Sequence, residues 1–590
     1  MCGIGGIVIN DKYKHHAINF EDLGKIQRAL KHRGPDSAGI YISRQRCGLI
    51  STHLSTIDLK DCNQPQYNED KSVVCVFNGK IYNYTQLRKT LLDCGHLIRT
   101  YGDGEIICHA YEEFGLNFPN MLDGVFAIAI WDDKLDSLIL VRDRFGEKPL
   151  YYTCTFGSFE FSSEVQGLLA IPKDNIKPCF QTISDYLTFS YIPGIRTGIK
   201  GFFEVPPAHY IVLKNGNLKT KRYWQPDFEP KMDISIEEAS IILYQELSKS
   251  VNSCISDDIP IGIFLSGGLD SSSIAALAFA QNKNVKLLSI GTNDPTTDER
   301  KFALTVAQYI EAELFCIDLN PPSLDTLHKL VRHFGQPFAD TSSFPLYQLS
   351  KHANELGLKI VLTGDGADEI FGGYPRYLEI MKSPIGEAFS RNMAIKSIFD
   401  ENEKSLLLTD YFLENIQEHS TLQWIKTTFP FAKSIAERFD QLIDFDLSTY
   451  LPYDILLKSD IAGMINSVEI RTPFLHHHLA NKVFHFPTTF KVSRNHGKKI
   501  LRKTMENILP KDILSLPKKG FFVPVESWLK TDLLLDVKEY LLSAESRTRA
   551  YFQRGFLQTL IKNEQLCIPG NSKKIWTIFM LEIWLREIFG

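Results

Sequence analysis

Residues 259–280 read IPIGIFLSGGLDSSSIAALAFA, and this stretch decides the architecture of the second half of the chain. Its opening run, IPIGIFL, is almost unbroken apolar sequence, the pattern of a strand covered on both faces in a parallel sheet. Its end is a good helix former. Between the two, Ser266, Gly267 and Gly268 make a turn whose glycines let backbone N–H groups approach an anion, and the helix N-terminus behind it adds roughly half a positive charge. The stretch is therefore a strand, an anion-binding turn and a helix. No GxxxxGK[ST] segment occurs, so the turn is not of the Walker type.

Working outward, the apolar runs VKLLSIG (285–291) and LKIVL (358–362) alternate with helical stretches, which describes an α/β sheet. Beyond about residue 380 the chain reads as mostly helical, ending in KIWTIFMLEIWLREIFG (574–590), read here as amphipathic. Upstream, the first 210 or so residues carry short β-type runs such as SVVCVFNG (72–79), GVFAIAIWD (124–132) and SLILVRD (137–143), punctuated by turn residues. The passage YWQPDFEPKMDIS (223–235) is the best linker candidate, dividing the chain into domains at 1–228 and 229–590.

With 590 residues the chain is too long for one core. Hydrophobic residues at 44% and charged residues at 23% are ordinary for a globular chain, and a net charge of −5 points to no polyanionic partner, nucleic acid included. The sequence offers neither a secretory leader nor a membrane-length apolar segment, so a cytoplasmic protein with no membrane partner is expected. Its 11 cysteines include no CxxC pair, which fits neither a disulfide framework nor a zinc site.

The strand LKIVL runs into TGDGADEIFGGYPRY (363–377), which packs Asp365, Asp368 and Glu369 among glycines. Carboxylates beside a phosphate-binding turn usually have a metal between them, and magnesium prefers one or two carboxylates plus phosphate oxygens. Asp270 and Asp368 are the candidate ligands for ATP-bound Mg²⁺. In HGKKILRKTM (496–505), Lys498 could neutralise a pyrophosphate leaving group, although a basic helix face is the commoner meaning of such a run. At the other end, MCGIGG (1–6) places Cys2 behind the initiator methionine. If Met1 is removed, the thiol and a free α-amine share one residue, and the amine, with a pKa near 7.7–8.0, suits a general base for the thiol.

The strand–SGGxDS–helix unit resembles the PP-loop of ATP pyrophosphatases, which release pyrophosphate while adenylating a carboxylate. MCGIGG, KHRGPDSAGIY (31–41), FNGKIYNY (77–84), YGDGE (101–105) and VRDRFGEKPLYY (141–152), in that order, resemble the glutaminase domain of class II glutamine amidotransferases. Joined to SGGLDSS, TGDGADE and KSDIAGMINSVEIRTPFL (458–475), they resemble the glutamine-dependent asparagine synthetases over nearly the whole chain. The resemblance implies an α+β N-terminal-nucleophile αββα glutaminase domain. An α/β PP-loop domain of the adenine nucleotide alpha hydrolase kind would follow, with a helical C-terminal part. It implies ATP and Mg²⁺ as cofactors and small-molecule substrates, and leaves a homodimer open. Carried over residue by residue, Cys2 would attack the glutamine carboxamide, with the oxyanion against the Asn78 side chain and the Gly79 N–H. Asp103 would hold the glutamine α-amine and Arg33 would shape the pocket. Ammonia would then travel inside the protein to a second site, where Leu265, Ser266, Gly267, Gly268, Asp270, Ser271, Ile290, Thr363 and Gly364 would bind ATP. Asp365 would accept a proton from the attacking ammonia.

Two departures stand out. The family's RLSIID reads HLSTID here (53–58), so His53 stands where an arginine grips the glutamine carboxylate. The family's NGEIYN reads NGKIYN (78–83), so Lys80 replaces a glutamate that helps bind the glutamine amine. Two cations about 4 Å apart repel by about 4 kcal/mol at an effective dielectric of 20. Either Lys80 takes over the carboxylate that His53 cannot clamp, or the glutaminase is degraded. A third departure is PFLHHH (473–478), where the family has PFLD; adjacent residues do not share one face of a helix or strand, so no metal site is expected there. The leading expectation is an ATP-dependent ligase making asparagine from aspartate. The rivals are the same chemistry on a sugar acid or peptide carboxylate, and a catalytically dead nucleotide-binding protein.

Overall fold

The computed structural model describes residues 2–9, 18–44, 46–55, 63–155, 158–255, 259–292, 297–382, 392, 395–416, 434–493, 496–520, 522–562, 568 and 570–590. Met1 and residues 56–58 of the HLSTID segment lie outside the described residues. The strands of the first half are β1 (Cys2–Ile9), β2 (Ser37–Ser43), β3 (Cys47–His53), β4 (Gln66–Tyr67), β5 (Val73–Ile81) and β6 (Gly124–Asp132). They continue with β7 (Ser137–Arg142), β8 (Tyr151–Thr155), β9 (Ser158–Ser162), β10 (Phe202–Glu204), β11 (His209–Lys214) and β12 (Asn217–Arg222). They form two sheets, ordered β10-β8-β9-β1-β3-β2 and β12-β11-β7-β6-β5-β4, with antiparallel neighbours.

Strand β5 shows why both faces of its sequence are apolar. Side chains alternate across a strand. Val74 and Val76 point into the space between the sheets with Cys2, Ile4 and Leu49. Val73, Cys75 and Phe77 point the other way, onto helices α2 (Tyr84–Asp93) and α3 (Asp103–Phe114) through Leu87, Leu91, Ile106 and Ile107. On the outside of the other sheet, helix α1 (Phe20–Ala29) buries Leu23 and Ile26 against Ile7 and Ile50. The result is the helix–sheet–sheet–helix sandwich.

Residues 223–235 carry no helix or strand and lead into the helix Ile236–Cys254, which opens on a capping box between Ser235 and Glu238. The second half is built on five parallel strands, β13 (Ile261–Phe264), β14 (Lys286–Gly291), β15 (Leu314–Asp318), β16 (Ile360–Leu362) and β17 (Glu469–Arg471), in the order β15-β14-β13-β16-β17. The ordinary expectation for such a sheet, a ligand site outside the carboxyl ends of its strands, applies here.

The C-terminal helix, Asn571–Phe589, is not amphipathic as its sequence was read: every residue from Ile575 to Leu585 is buried. Its one acidic residue in that run, Glu582, accepts hydrogen bonds from the backbone N–H groups of Arg547 (2.9 Å) and Thr548 (2.7 Å), which removes the cost of burying its charge. Each large apolar side chain covered there contributes about 1.5–3 kcal/mol. The helix Phe180–Phe189, from the first half, shares this core, and the Tyr186 hydroxyl donates to the Thr577 carbonyl at 2.7 Å. The two halves are therefore welded by a common apolar cluster.

Candidate active sites

The pairing of β1 with β3 sets Cys2 opposite His53. The Cys2 thiol lies 3.1 Å from His53 Nδ1 and accepts from Gln64 Nε2 at 3.3 Å, and Cys2 N donates to Asn78 Oδ1 at 3.1 Å. Gln64 is held in place by Phe77 of β5, giving a hydrogen bond to its carbonyl (2.8 Å) and taking one from its N–H (2.7 Å). Asn78 Nδ2 is buried and has no hydrogen-bond partner among the described residues, which leaves a donor free beside the thiol. Gly79 follows with φ 148°, and a Cβ there would lie 2.0 Å from the Val125 carbonyl oxygen, so only glycine fits. Burial pushes the Cys2 thiol up to about 11 and the His53 imidazole down to about 4. At neutral pH both are uncharged, and a base must act before the thiol can attack.

His53 thus stands against the thiol itself. Lys80 and Asp103, two of the other residues assigned to the glutamine pocket, meet each other: Lys80 Nζ is 3.3 Å from Asp103 Oδ2. That oxygen also accepts from Ile81 N at 3.0 Å. The carboxylate expected to receive the substrate amine already has a cation beside it.

In the second half, Leu265, Ile290 and Thr363, at the carboxyl ends of β13, β14 and β16, line one cavity of about 380 Å³ together with Asp270, Asp365 and Asp368. Ser266, Ser271 and Gly364 lie on the same wall. The turn is braced by Ser266 Oγ against Ser271 Oγ at 3.0 Å, and Gly268 N donates to Ser266 Oγ at 3.3 Å. Gly267 has φ 80°, and a Cβ there would lie 2.4 Å from the backbone nitrogen of Ala303. Asp270 leaves the first turn of the helix Leu269–Gln281 and meets Lys498 Nζ at 2.5 Å; the same ammonium is 2.6 Å from Asp368 Oδ1. Lys518, which sequence reasoning missed, reaches Asp368 Oδ2 at 2.5 Å. Burial works to raise the Asp368 carboxyl, but the two ammonium groups outweigh it and hold it at about 2. Asp270 Oδ1 is buried with no hydrogen-bond partner among the described residues, so the pair retains a free oxygen for a divalent cation. Lys518 sits in LPKKG (516–520), a doublet indistinguishable from surface lysine until the chain is folded.

One helix connects the two sites. Along Leu457–Met464, Lys458 Nζ reaches Asp340 Oδ2 at 2.8 Å on the cavity wall, Ser459 Oγ donates to Asp365 Oδ2 at 2.7 Å, and Asp460 Oδ2 is 2.7 Å from Arg33 NH1. Arg33 is fully buried, pairs also with Glu164 at 2.8 Å, and directs its Nε toward the Cys2 carbonyl at 3.4 Å. None of Ser459, Asp460, Lys458 or Asp340 was singled out from the sequence.

The three consecutive histidines behave differently from the expectation. His476 Nε2 and His477 Nδ1 converge on Asp123 of the first half, at 3.2 and 3.0 Å. They can do so because His476 caps the helix His477–His485 with a non-helical backbone (φ −56°, ψ 121°), so the rule for residues within one regular element does not govern them.

Residues 243–586 match the family described as asparagine synthase, and residues 1–224 match the glutamine amidotransferase domain. Asparagine synthetase (glutamine-hydrolyzing) 1 of Bacillus subtilis is 30% identical over 621 residues, covering 99% of this chain and 96% of its own. A putative asparagine synthetase (glutamine-hydrolyzing) of Mycobacterium tuberculosis is 27% identical, with 95% and 93% covered. Amidase chyE of Penicillium rubens is 28% identical, with 84% of each chain covered. No helix among the described residues is long and apolar enough to cross a membrane. With both halves matched and a relative similar over its full length, the chain belongs to the asparagine synthase family, its synthase domain preceded by a glutamine amidotransferase domain.

Proposed function

We propose that the chain is an ATP-dependent amide ligase that converts aspartate to asparagine, releasing AMP and pyrophosphate. The carrying observation is the cavity of about 380 Å³ lined by residues of the SGGLDSS turn and by Asp270, Asp365 and Asp368, with Lys498 and Lys518 paired to these carboxylates. The turn would cradle the ATP phosphates, and Lys498 and Lys518 would take the charge of departing pyrophosphate. Asp270 and Asp368 would hold Mg²⁺, which when bound supplies further neutralisation of phosphate charge. The carboxylate substrate would attack the α-phosphorus, forming its acyl-adenylate as the bond to pyrophosphate breaks. Ammonia would then add to the acyl carbon, Asp365 receiving a proton from it, and AMP would leave as the amide forms.

In the first half, the reading supported by the geometry is thiol attack by Cys2 on the glutamine carboxamide. The free Asn78 Nδ2 and the Gly79 N–H would face the developing oxyanion. The α-amine released by loss of Met1 would serve as base, and the neutral His53 imidazole would hold the thiol proton's direction. The Lys80–Asp103 ion pair favours a second reading of nitrogen supply, in which glutamine binds weakly and ammonium is the better donor.

The test supplies Mg-ATP, ammonium or glutamine, and a panel of carboxylates, and measures AMP and pyrophosphate. Equal AMP, pyrophosphate and asparagine with aspartate is the expected result. Turnover with another carboxylate only would replace aspartate as the acceptor, and ADP with inorganic phosphate would remove the adenylation reading.

A further inference from the structure

Used by neither site, four side chains of the first half converge: Glu69 in the turn after β4, His96 in the connection between α2 and α3, and His109 and Glu112 on α3. Their ligand atoms all lie within 4.8 Å of one another. Glu69 Oε1 is 3.3 Å from His96 Nδ1 and 3.4 Å from His109 Nδ1, and Glu112 Oε2 is 3.8 Å from His109 Nδ1. A tetrahedral zinc ion with ligands at about 2.0–2.2 Å sets neighbouring ligand atoms about 3.3–3.6 Å apart. The spacing of the two imidazoles about Glu69 is that of a tetrahedral edge.

A second, independent observation points the same way. His109 is completely buried, and neither of its ring nitrogens has a hydrogen-bond partner among the described residues. A buried imidazole with both nitrogens unused is costly. Its Nδ1 is directed at two carboxylates from more than hydrogen-bonding reach or angle, the arrangement an ion between them would explain. The surrounding groups are also those that orient metal ligands. His96 Nε2 pairs with Glu113 Oε2 at 3.3 Å, His109 Nε2 faces Glu105 Oε1 at 3.6 Å, and Glu112 Oε1 accepts from Asn68 Nδ2 at 2.7 Å. A ligating histidine usually turns its other ring nitrogen to a carboxylate in this way. Among the described residues, no lysine or arginine forms an ion pair with Glu69, Glu105, Glu112 or Glu113, so the cluster has surplus negative charge and no resident cation.

We propose that Glu69, His96, His109 and Glu112 form a four-ligand structural site for zinc or a closely similar divalent cation. Two imidazoles exclude magnesium and calcium, which take oxygen ligands, and four protein ligands leave no open position for catalysis. The ion fastens the β4–β5 turn and the α2–α3 connection to α3. These segments adjoin β4, which begins at Gln66 two residues after Gln64, and the start of α3 at Asp103, so the site braces the frame of the glutamine pocket without touching substrate. The two other histidine–carboxylate clusters are weaker candidates. Glu164, between His32 and His333, is already paired with Arg33, and Asp123 with His476 and His477 supplies only three ligands.

The full chain, stripped with a chelator and dialysed against zinc sulfate, should retain one zinc per chain by elemental analysis and should melt at a higher temperature than the stripped form. Because His109→Ala leaves a cavity in the core and so disturbs folding itself, His96→Ala and Glu112→Gln carry the test. Each should bind zinc at least about tenfold more weakly and lose the zinc-dependent rise in melting temperature. His477→Ala should bind as the parent does. Cobalt(II) loaded into the parent should give the intense visible bands of a tetrahedral site, absent in His96→Ala. A parent that holds no zinc after reloading, or a His96→Ala variant that holds as much as the parent, overturns the proposal.

Discussion

Arg33 NH1 and Asp460 Oδ2 lie 2.7 Å apart, both buried, one beside Cys2 and the other next in sequence to Ser459, which holds Asp365. A buried ion pair between the two halves of the chain thus lies flanked by the two sites. Removing one partner of a buried pair costs up to about 3–5 kcal/mol when it strands the other, and less here because Arg33 keeps Glu164 at 2.8 Å. Asp460→Asn is therefore expected to lower the melting temperature, and to reduce glutamine-dependent synthesis more than ammonium-dependent synthesis. The measurement is the ratio of glutamate to amide product. A ratio that stays at the parent value would mean that this pair does not couple the sites.

Cys2→Ala removes the thiol and leaves the ATP cavity untouched. Glutamine-dependent synthesis should vanish and ammonium-dependent synthesis should remain within about twofold. Intact-mass measurement of the parent should show Met1 absent, since an acylated amine cannot act as base. Active, glutamine-using protein that keeps Met1 would rule out the amine as base.

Freeing Asp103 from Lys80 should restore a partner for the substrate amine. Lys80→Gln is expected to lower the glutamine KM about fivefold, equivalent to about 1 kcal/mol for a partly exposed pair. The same change in an Asp103→Asn background should have no such effect, because the carboxylate being freed is gone. Equal effects in both backgrounds would show that Asp103 does not receive the amine.

The pH profile of glutamine hydrolysis separates the two candidate bases. An α-amine works as base only when unprotonated, so kcat/KM should rise through about pH 7–8 and then level off. His53, lowered by burial to about 4, is already neutral above pH 5 and sets no limb in that window. His53→Ala should lower kcat and leave the limb where it is. Loss of the limb in that variant would transfer the base to the imidazole.

Asp270→Asn removes one of the two carboxylates proposed to hold Mg²⁺ and leaves Lys498 paired with Asp368 alone. Pyrophosphate release should fall by at least about a hundredfold with either nitrogen donor, while glutamine hydrolysis persists. Pyrophosphate at the parent rate would remove the assignment of the SGGLDSS turn to ATP.

What could be read in the amino-acid order was whatever repeats or punctuates locally. Unbroken apolar runs marked β13, β14 and β16 because strands covered on both faces show no polar phase, and glycine marked the turn at Gly267 because no other residue fits its backbone. Ordered motifs placed Cys2, Asn78 and Asp270 on their elements. What only the tertiary structure decided were the partners. Lys498 and Lys518 on the Asp270–Asp368 pair, Lys80 on Asp103, Arg33 on Asp460, His476 and His477 on Asp123, and the Glu69–His96–His109–Glu112 cluster all join separate elements. So does the burial of the helix Asn571–Phe589 on every side, whose sequence alone looked two-faced. Charge pairing and burial depend on which surfaces pack together, and packing between distant segments leaves no period in the chain from which they could be read.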